Sequence, residues 1–121
     1  MALPAGATDC HAHIFGPLDR FPPGPSTYDI PLADPSVYAQ MLERAGFSRG
    51  VLIQPAPYGQ NTDALEAALN HFDGRLRGIA VADASISDER MERLHRAGVR
   101  GLRFIEMLDP ISKQRYAGSI G

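Results

Sequence analysis

The sequence predicts an α/β protein of parallel strands joined by amphipathic helices, on three observations. Four short, largely apolar runs are spaced along 121 residues, and helical stripes separate the last three. Each stripe has a capping residue before it and a glycine after it. The runs at residues 49–54 (RGVLIQ), 76–82 (LRGIAVA) and 99–105 (VRGLRFI) also lack the even polar alternation of a strand with one wet face. A parallel sheet covered on both faces requires strands of that kind.

The first strand spans residues 8–15. A Pro/Gly-rich stretch, residues 16–33, follows with prolines at 17, 22, 23, 25 and 31. That is long for a loop in a compact domain, and such loops are functional or disordered. Asp34 caps the first helix and Pro35 suits its first position. Tyr38, Met41, Leu42 and Ala45 form its buried stripe, and Gly46 ends it. After the strand at 49–54 and a turn at 55–60, Asn61 caps a helix with the stripe Leu65, Ala68, Leu69 and Phe72, closed by Gly74. The strand at 76–82 leads to a Ser87-capped helix in which Met91 and Leu94 face inward and Gly98 closes. The strand at 99–105 comes last. Arg44-Ala45-Gly46 returns as Arg96-Ala97-Gly98 two units later, with similar helix-to-strand joints as the first explanation and duplication as the alternative.

No Gly-x-Gly-x-x-Gly and no Gly-Lys-Ser/Thr follows any strand, so the nucleotide-binding forms lose their main signal. The pattern β-α-β-α-β-α-β is about half of a (β/α)₈ barrel, which takes about 250 residues. The expected architecture is therefore the N-terminal half of such a barrel, one domain over residues 1–121, and the chain reads as cut.

Composition excludes more than it selects. The net charge is −2, with no basic run, so no nucleic-acid partner is expected. One cysteine forms no internal disulfide and suits a reducing compartment. No apolar run reaches membrane-spanning length and no signal peptide is evident, so the expectation is a cytoplasmic protein without membrane contact.

Chemistry concentrates in Asp9-Cys10-His11-Ala12-His13. Residues two apart on a strand share a face, so His11 and His13 point together, with Asp9 beside them. Two imidazoles about 6.6–7 Å apart at Cβ lean onto one Zn²⁺ at bond lengths of about 2.0–2.1 Å. Packing or surface hydrogen bonding is the alternative. His71 and His95 fall on helices and read as surface residues. Asp83, past the third strand, reads as a loop or cap residue.

The stretch Asp9-Cys10-His11-Ala12-His13-Ile14-Phe15-Gly16-Pro17 resembles the first strand of the amidohydrolase superfamily, in its amidohydrolase-2 branch of lactone hydrolases. The segments RGVLIQP (49–55), GRLRGIAV (74–81) and AGVRGLRF (97–104) match it in order. The resemblance implies a distorted (β/α)₈ barrel with its site at the C-terminal strand ends. It implies His11 and His13 as catalytic, carbonyl-side groups and as ligands of zinc or another divalent metal, although some lactonases of this branch hold no metal tightly. Arg103 matches a carboxylate-holding position, as its planar fork suits, with a rim salt bridge as the alternative. Gln54 and Tyr58 fall where polar substrate contacts arise at the mouth, and loop surface is their alternative. Ala56 stands at the hydroxyl-bearing position of the family, and a second arginine is missing from 106–110 (EMLDP).

The implied activity is hydrolysis of a lactone or carboxylated ring, with decarboxylation as the enzyme alternative and a non-catalytic half-barrel as the other. The superfamily's later histidines and catalytic aspartate come from strands beyond the fourth, so this chain reads as an incomplete, inactive portion. Asp9 is the candidate to support the histidines from behind, with a buried structural hydrogen bond as the alternative. Self-association through open sheet edges is expected.

Overall fold

Local sequence sets each helix end in the computed structural model, which describes residues 3–26 and 28–105. Helix α1, Pro35–Ala45, starts where the Asp34 carboxylate accepts the Val37 N–H at 3.1 Å, and it stops at Gly46 in the left-handed conformation. Bonds from Ser36 and Val37 hold the Asp34 carboxyl below its ordinary pKa. Helix α3, Asp88–Ala97, is capped by Ser87 and closed by Gly98 in the same way. Helix α2, Asp63–His71, differs in detail. Thr62 occupies the cap position without a side-chain cap bond, while Asn61 accepts the Asp63 N–H from one residue earlier.

Between the helices run β1 (Thr8–Ala12), β2 (Arg49–Ile53), β3 (Leu76–Val81) and β4 (Val99–Arg103). They form one sheet in the order β1-β2-β3-β4, every pair parallel. Each strand ends one to three residues before its apolar run does. The remaining residues lie at the C-terminal end of the sheet, where the candidate site is; Gln54 and Ala82 there still donate their N–H to the Ile79 and Arg103 carbonyls and are buried.

The core is the layer between helices and sheet: Leu42 and Tyr38 from α1, Leu65, Ala68 and Leu69 from α2, Leu94 from α3, with Leu52, Leu76, Ala80 and Val99 beneath. Gly78 lets α2 approach, because a Cβ there would lie 3.0 Å from Leu69 Cδ1. The α2 stripe is buried as its spacing predicts. Two other stripes are corrected. Met41 and Ala45 of α1 are exposed, and Met91 of α3 keeps 40% of its surface in water. These helices flank the outer strands, so a wide apolar face meets sheet on one side only.

The stretch at 16–33 folds back over η1, a 3-10 turn at Ala56–Tyr58. Phe15 pairs with Ala33, and Gly24 N–H donates to the Pro57 carbonyl at 2.7 Å. Phe15, Tyr58 and Ala64 make a second small core that Phe21, Ile30 and Ala33 cover.

Candidate functional site

The register of β1 decides which of its side chains share a face. Thr8 pairs with Arg49 and Asp9 with Gly50, but Ala12 then pairs with Leu52, so the strand slips between Asp9 and Ala12. Asp9 therefore lies on the helix side, where Tyr38 of α1 donates its hydroxyl to Oδ2 at 2.7 Å. The expectation that Asp9 joins the histidines is corrected by that irregularity, since one extra residue reverses which face the preceding side chains take. Burial and the bonded Asp9 carboxylate push the Tyr38 phenol well above its ordinary pKa.

His11 and His13 stay together. Their rings meet edge to face with centroids 5.2 Å apart, and both residues are exposed. His13 Nδ1 lies 2.6 Å from the Ile53 carbonyl at the end of β2. A carbonyl only accepts, so Nδ1 is the donor, and in the neutral ring Nε2 then has the lone pair that an electrophile or a metal can take. This orienting carbonyl belongs to the backbone, so no side-chain motif announces it.

Arg103, at the end of β4, donates from one guanidinium nitrogen to the Gln54 carbonyl at 2.8 Å. The neighbouring carbonyls of Ile53 and Gln54 thus anchor His13 and Arg103 from opposite edges of the sheet. The bond at Gln54 is to backbone rather than a rim salt bridge, and it leaves the guanidinium's other donors uncommitted by that contact.

Gln54 and Tyr58 hold the structure beneath this rim. The Gln54 side chain is 1% exposed, donates to the Gly59 and Asn61 carbonyls at 2.8 and 3.0 Å, and accepts the Val81 N–H at 2.7 Å. Tyr58 accepts the Gly16 N–H and donates to the Phe21 carbonyl, both at 2.8 Å. Burial pushes its phenol upward in pKa. Their polar atoms serve the loops of the rim. Gln54→Ala is expected to cost about 2–4 kcal/mol, because it opens a cavity and strands a buried N–H. Urea denaturation measures this.

His71 and His95 are exposed on their helices, away from the pair. Asp83 accepts bonds from Gln60 and Ser85, so it orders a loop. Residues 106–110 lie outside the described residues. Among the described residues no three His, Cys, Asp or Glu side chains gather as a metal site, so the pair supplies two nitrogen donors of the three usual for catalytic zinc.

The parallel sheet thus presents His11 and His13 where β1 ends and Arg103 where β4 ends, all at the C-terminal end of the strands. The chain belongs to the amidohydrolase family, whose model matches residues 8–114. It is 40% identical over 104 residues to a 2-pyrone-4,6-dicarboxylate hydrolase of Comamonas testosteroni, covering 84% of this chain and 34% of that protein. It is 37% identical over 107 residues to a 4-sulfomuconolactone hydrolase of Rhizobium radiobacter, covering 85% and 35%. A crystal structure of an Agrobacterium tumefaciens protein superposes with a TM-score of 0.75 at 24% identity, over 88% of this chain and 38% of that one. A Pseudomonas putida protein named for 2-pyrone-4,6-dicarboxylic acid hydrolysis gives 0.71 at 33% identity, over 84% and 37%. The chain therefore spans about a third of the length of the curated relatives it matches, and its four strands correspond to part of their barrels. No helix among the described residues is long and apolar enough to cross a membrane.

Proposed function

We propose that this chain carries the carbonyl-polarising and anion-holding side of a lactone-hydrolase site. The observation that supports it is the anchoring of His13 and Arg103 to the adjacent carbonyls of Ile53 and Gln54. That arrangement sets an electrophilic side and an anion-binding side on one rim. The two hydrolase relatives are named for lactones bearing carboxylate or sulfo groups. Such a substrate would lay its charged group on the Arg103 fork and its ring carbonyl toward His11 and His13.

His11 and His13 would hold a divalent metal, which when bound supplies Lewis acidity toward the ring carbonyl. The Ile53 carbonyl keeps His13 in the tautomer that ligates through Nε2. With two donors, the 121-residue chain is expected to bind zinc weakly and to lose it on dialysis against a chelator. Calorimetric titration with Zn²⁺ alone tests this, and His11→Ala with His13→Ala is expected to abolish the heat. Arg103→Gln is expected to weaken binding of 2-pyrone-4,6-dicarboxylate by roughly 10- to 100-fold, the effect of losing a charge-assisted bond worth about 1.5–3 kcal/mol. Zinc binding unchanged in the double alanine variant, or ligand binding unchanged in Arg103→Gln, would sink the reading.

A further inference from the structure

The opposite end of the sheet carries a cluster that the hydrolase reading does not use. Strands β1, β2 and β3 start there, and a concavity of about 370 Å³ lies among Thr8, Arg49, Arg75 and Arg77, with Gly50, Val51 and Gly74 completing its lining. Three arginines thus line one hollow in a chain whose net charge is −2. No acidic residue lines it, and among the described residues no carboxylate lies within ion-pair distance of any of the three.

Two of the three are held in position. Arg75 donates from Nε to the Ser48 carbonyl at 3.1 Å, and its guanidinium lies 5.8 Å from the Phe72 ring centroid. Arg77 donates from one terminal nitrogen to the Gly74 and Leu76 carbonyls, both at 3.0 Å. These bonds fix the side chains yet use only part of each group's five N–H donors. Arg49, exposed at the start of β2, makes no side-chain bond or ion pair among the described residues. Like charges lining one hollow, with no counter-charge among the described residues, repel one another, and an anion between them reverses that term.

We propose that Arg49, Arg75 and Arg77 form a binding site for a phosphate-type oxyanion at the N-terminal end of the sheet. Planar guanidinium forks on a partly enclosed wall suit the oxygens of a tetrahedral anion, and the held pair loses little freedom on binding. Because the strands are parallel, the site lies a full strand length from the histidine pair. It stands independently of the lactone reading. A bound anion there ties the starts of β2 and β3 together and stabilises the fold.

The test is calorimetric and thermal titration of the 121-residue chain with inorganic phosphate, with sodium chloride holding ionic strength constant. Glycerol phosphate in a parallel arm distinguishes a free phosphate from a phosphomonoester. Saturable binding and a rise in Tm beyond that in chloride are expected. Arg49→Gln, which breaks no bond among the described residues, is expected to weaken phosphate binding about tenfold while its circular dichroism stays unchanged. Arg96→Gln, which loses only the exposed pair with Glu92, is expected to bind as the parent does. The histidine variants keep full phosphate affinity, so failure of the metal reading leaves this result intact. The proposal is overturned if chloride matches phosphate, if Arg49→Gln binds like the parent, if Arg96→Gln loses as much, or if the response follows a change in oligomeric mass instead of saturating.

Discussion

Light scattering of the 121-residue chain is expected to give a mass at or above twice 13.1 kDa, rising with concentration. In the order β1-β2-β3-β4, the two outer strands each pair on one side only among the described residues, and a row of N–H and C=O groups without a strand partner invites pairing between copies. The face away from the helices adds apolar surface. Val51, Ile53 and Ile79 are only half-buried there. Beside β4, a groove of about 440 Å³ runs among Met91, Leu94, Val99 and Leu102, and Met91 and Phe104 are 40% and 44% exposed. Covering such surface stabilises by roughly 25 cal/mol per Å², which makes pairing between copies favourable. Met91→Lys combined with Phe104→Lys is expected to lower the associated fraction at a given concentration, since edge lysines oppose pairing. A monodisperse 13.1 kDa species at high concentration would show that the edges are covered within the chain.

The second large effect is expected at Gly50. A Cβ there would collide with the Tyr38 hydroxyl oxygen and lie 3.1 Å from Leu76 Cδ2. Tyr38 has little room to yield, because its hydroxyl is bonded to Asp9 and its ring packs edge to face on Phe72. Gly50→Ala is therefore expected to destabilise by about 1–3 kcal/mol or more through overpacking, read as a shift in the urea midpoint. Tyr38→Phe removes the atom that clashes and costs about 1 kcal/mol alone for the lost bond. The double variant should then be more stable than the two single costs added. A strictly additive result would place the strain elsewhere.

The same contact gives a pH signature. Tyr38 titrates higher in the folded chain than in the unfolded one, so its contribution is complete below about pH 10 and is lost as pH rises beyond that. Tyr38→Phe should flatten the alkaline limb of stability.

Elements whose ends are written locally are legible in the sequence itself. Asp34 with Pro35, Ser87, and the glycines at 46 and 98 act within one helical turn, so a capping rule reads them directly. The strands are legible as apolar runs, but the runs outlast the pairing, since an apolar residue at a strand end looks the same whether it pairs or turns into the rim. Spacing overstates the buried stripes of α1 and α3 because it reports the apolar face of a helix, not whether sheet lies under all of it.

The site divides along the same line. His11 and His13 share a face because two residues of extended chain bring them there, and sequence alone determined that, together with the α/β class and the family. Asp9 left that face through a slip in pairing with β2, a property of two strands at once. Gln54 and Tyr58 became struts because their partners, Val81, Gly16 and Phe21, lie far away along the chain. The orientation of His13 by Ile53, the reach of Arg103 to Gln54 and the meeting of Arg49, Arg75 and Arg77 are likewise decided only by tertiary structure. Periodicity carries information over a turn or a pleat, whereas register and contact between segments arise only when the chain closes on itself.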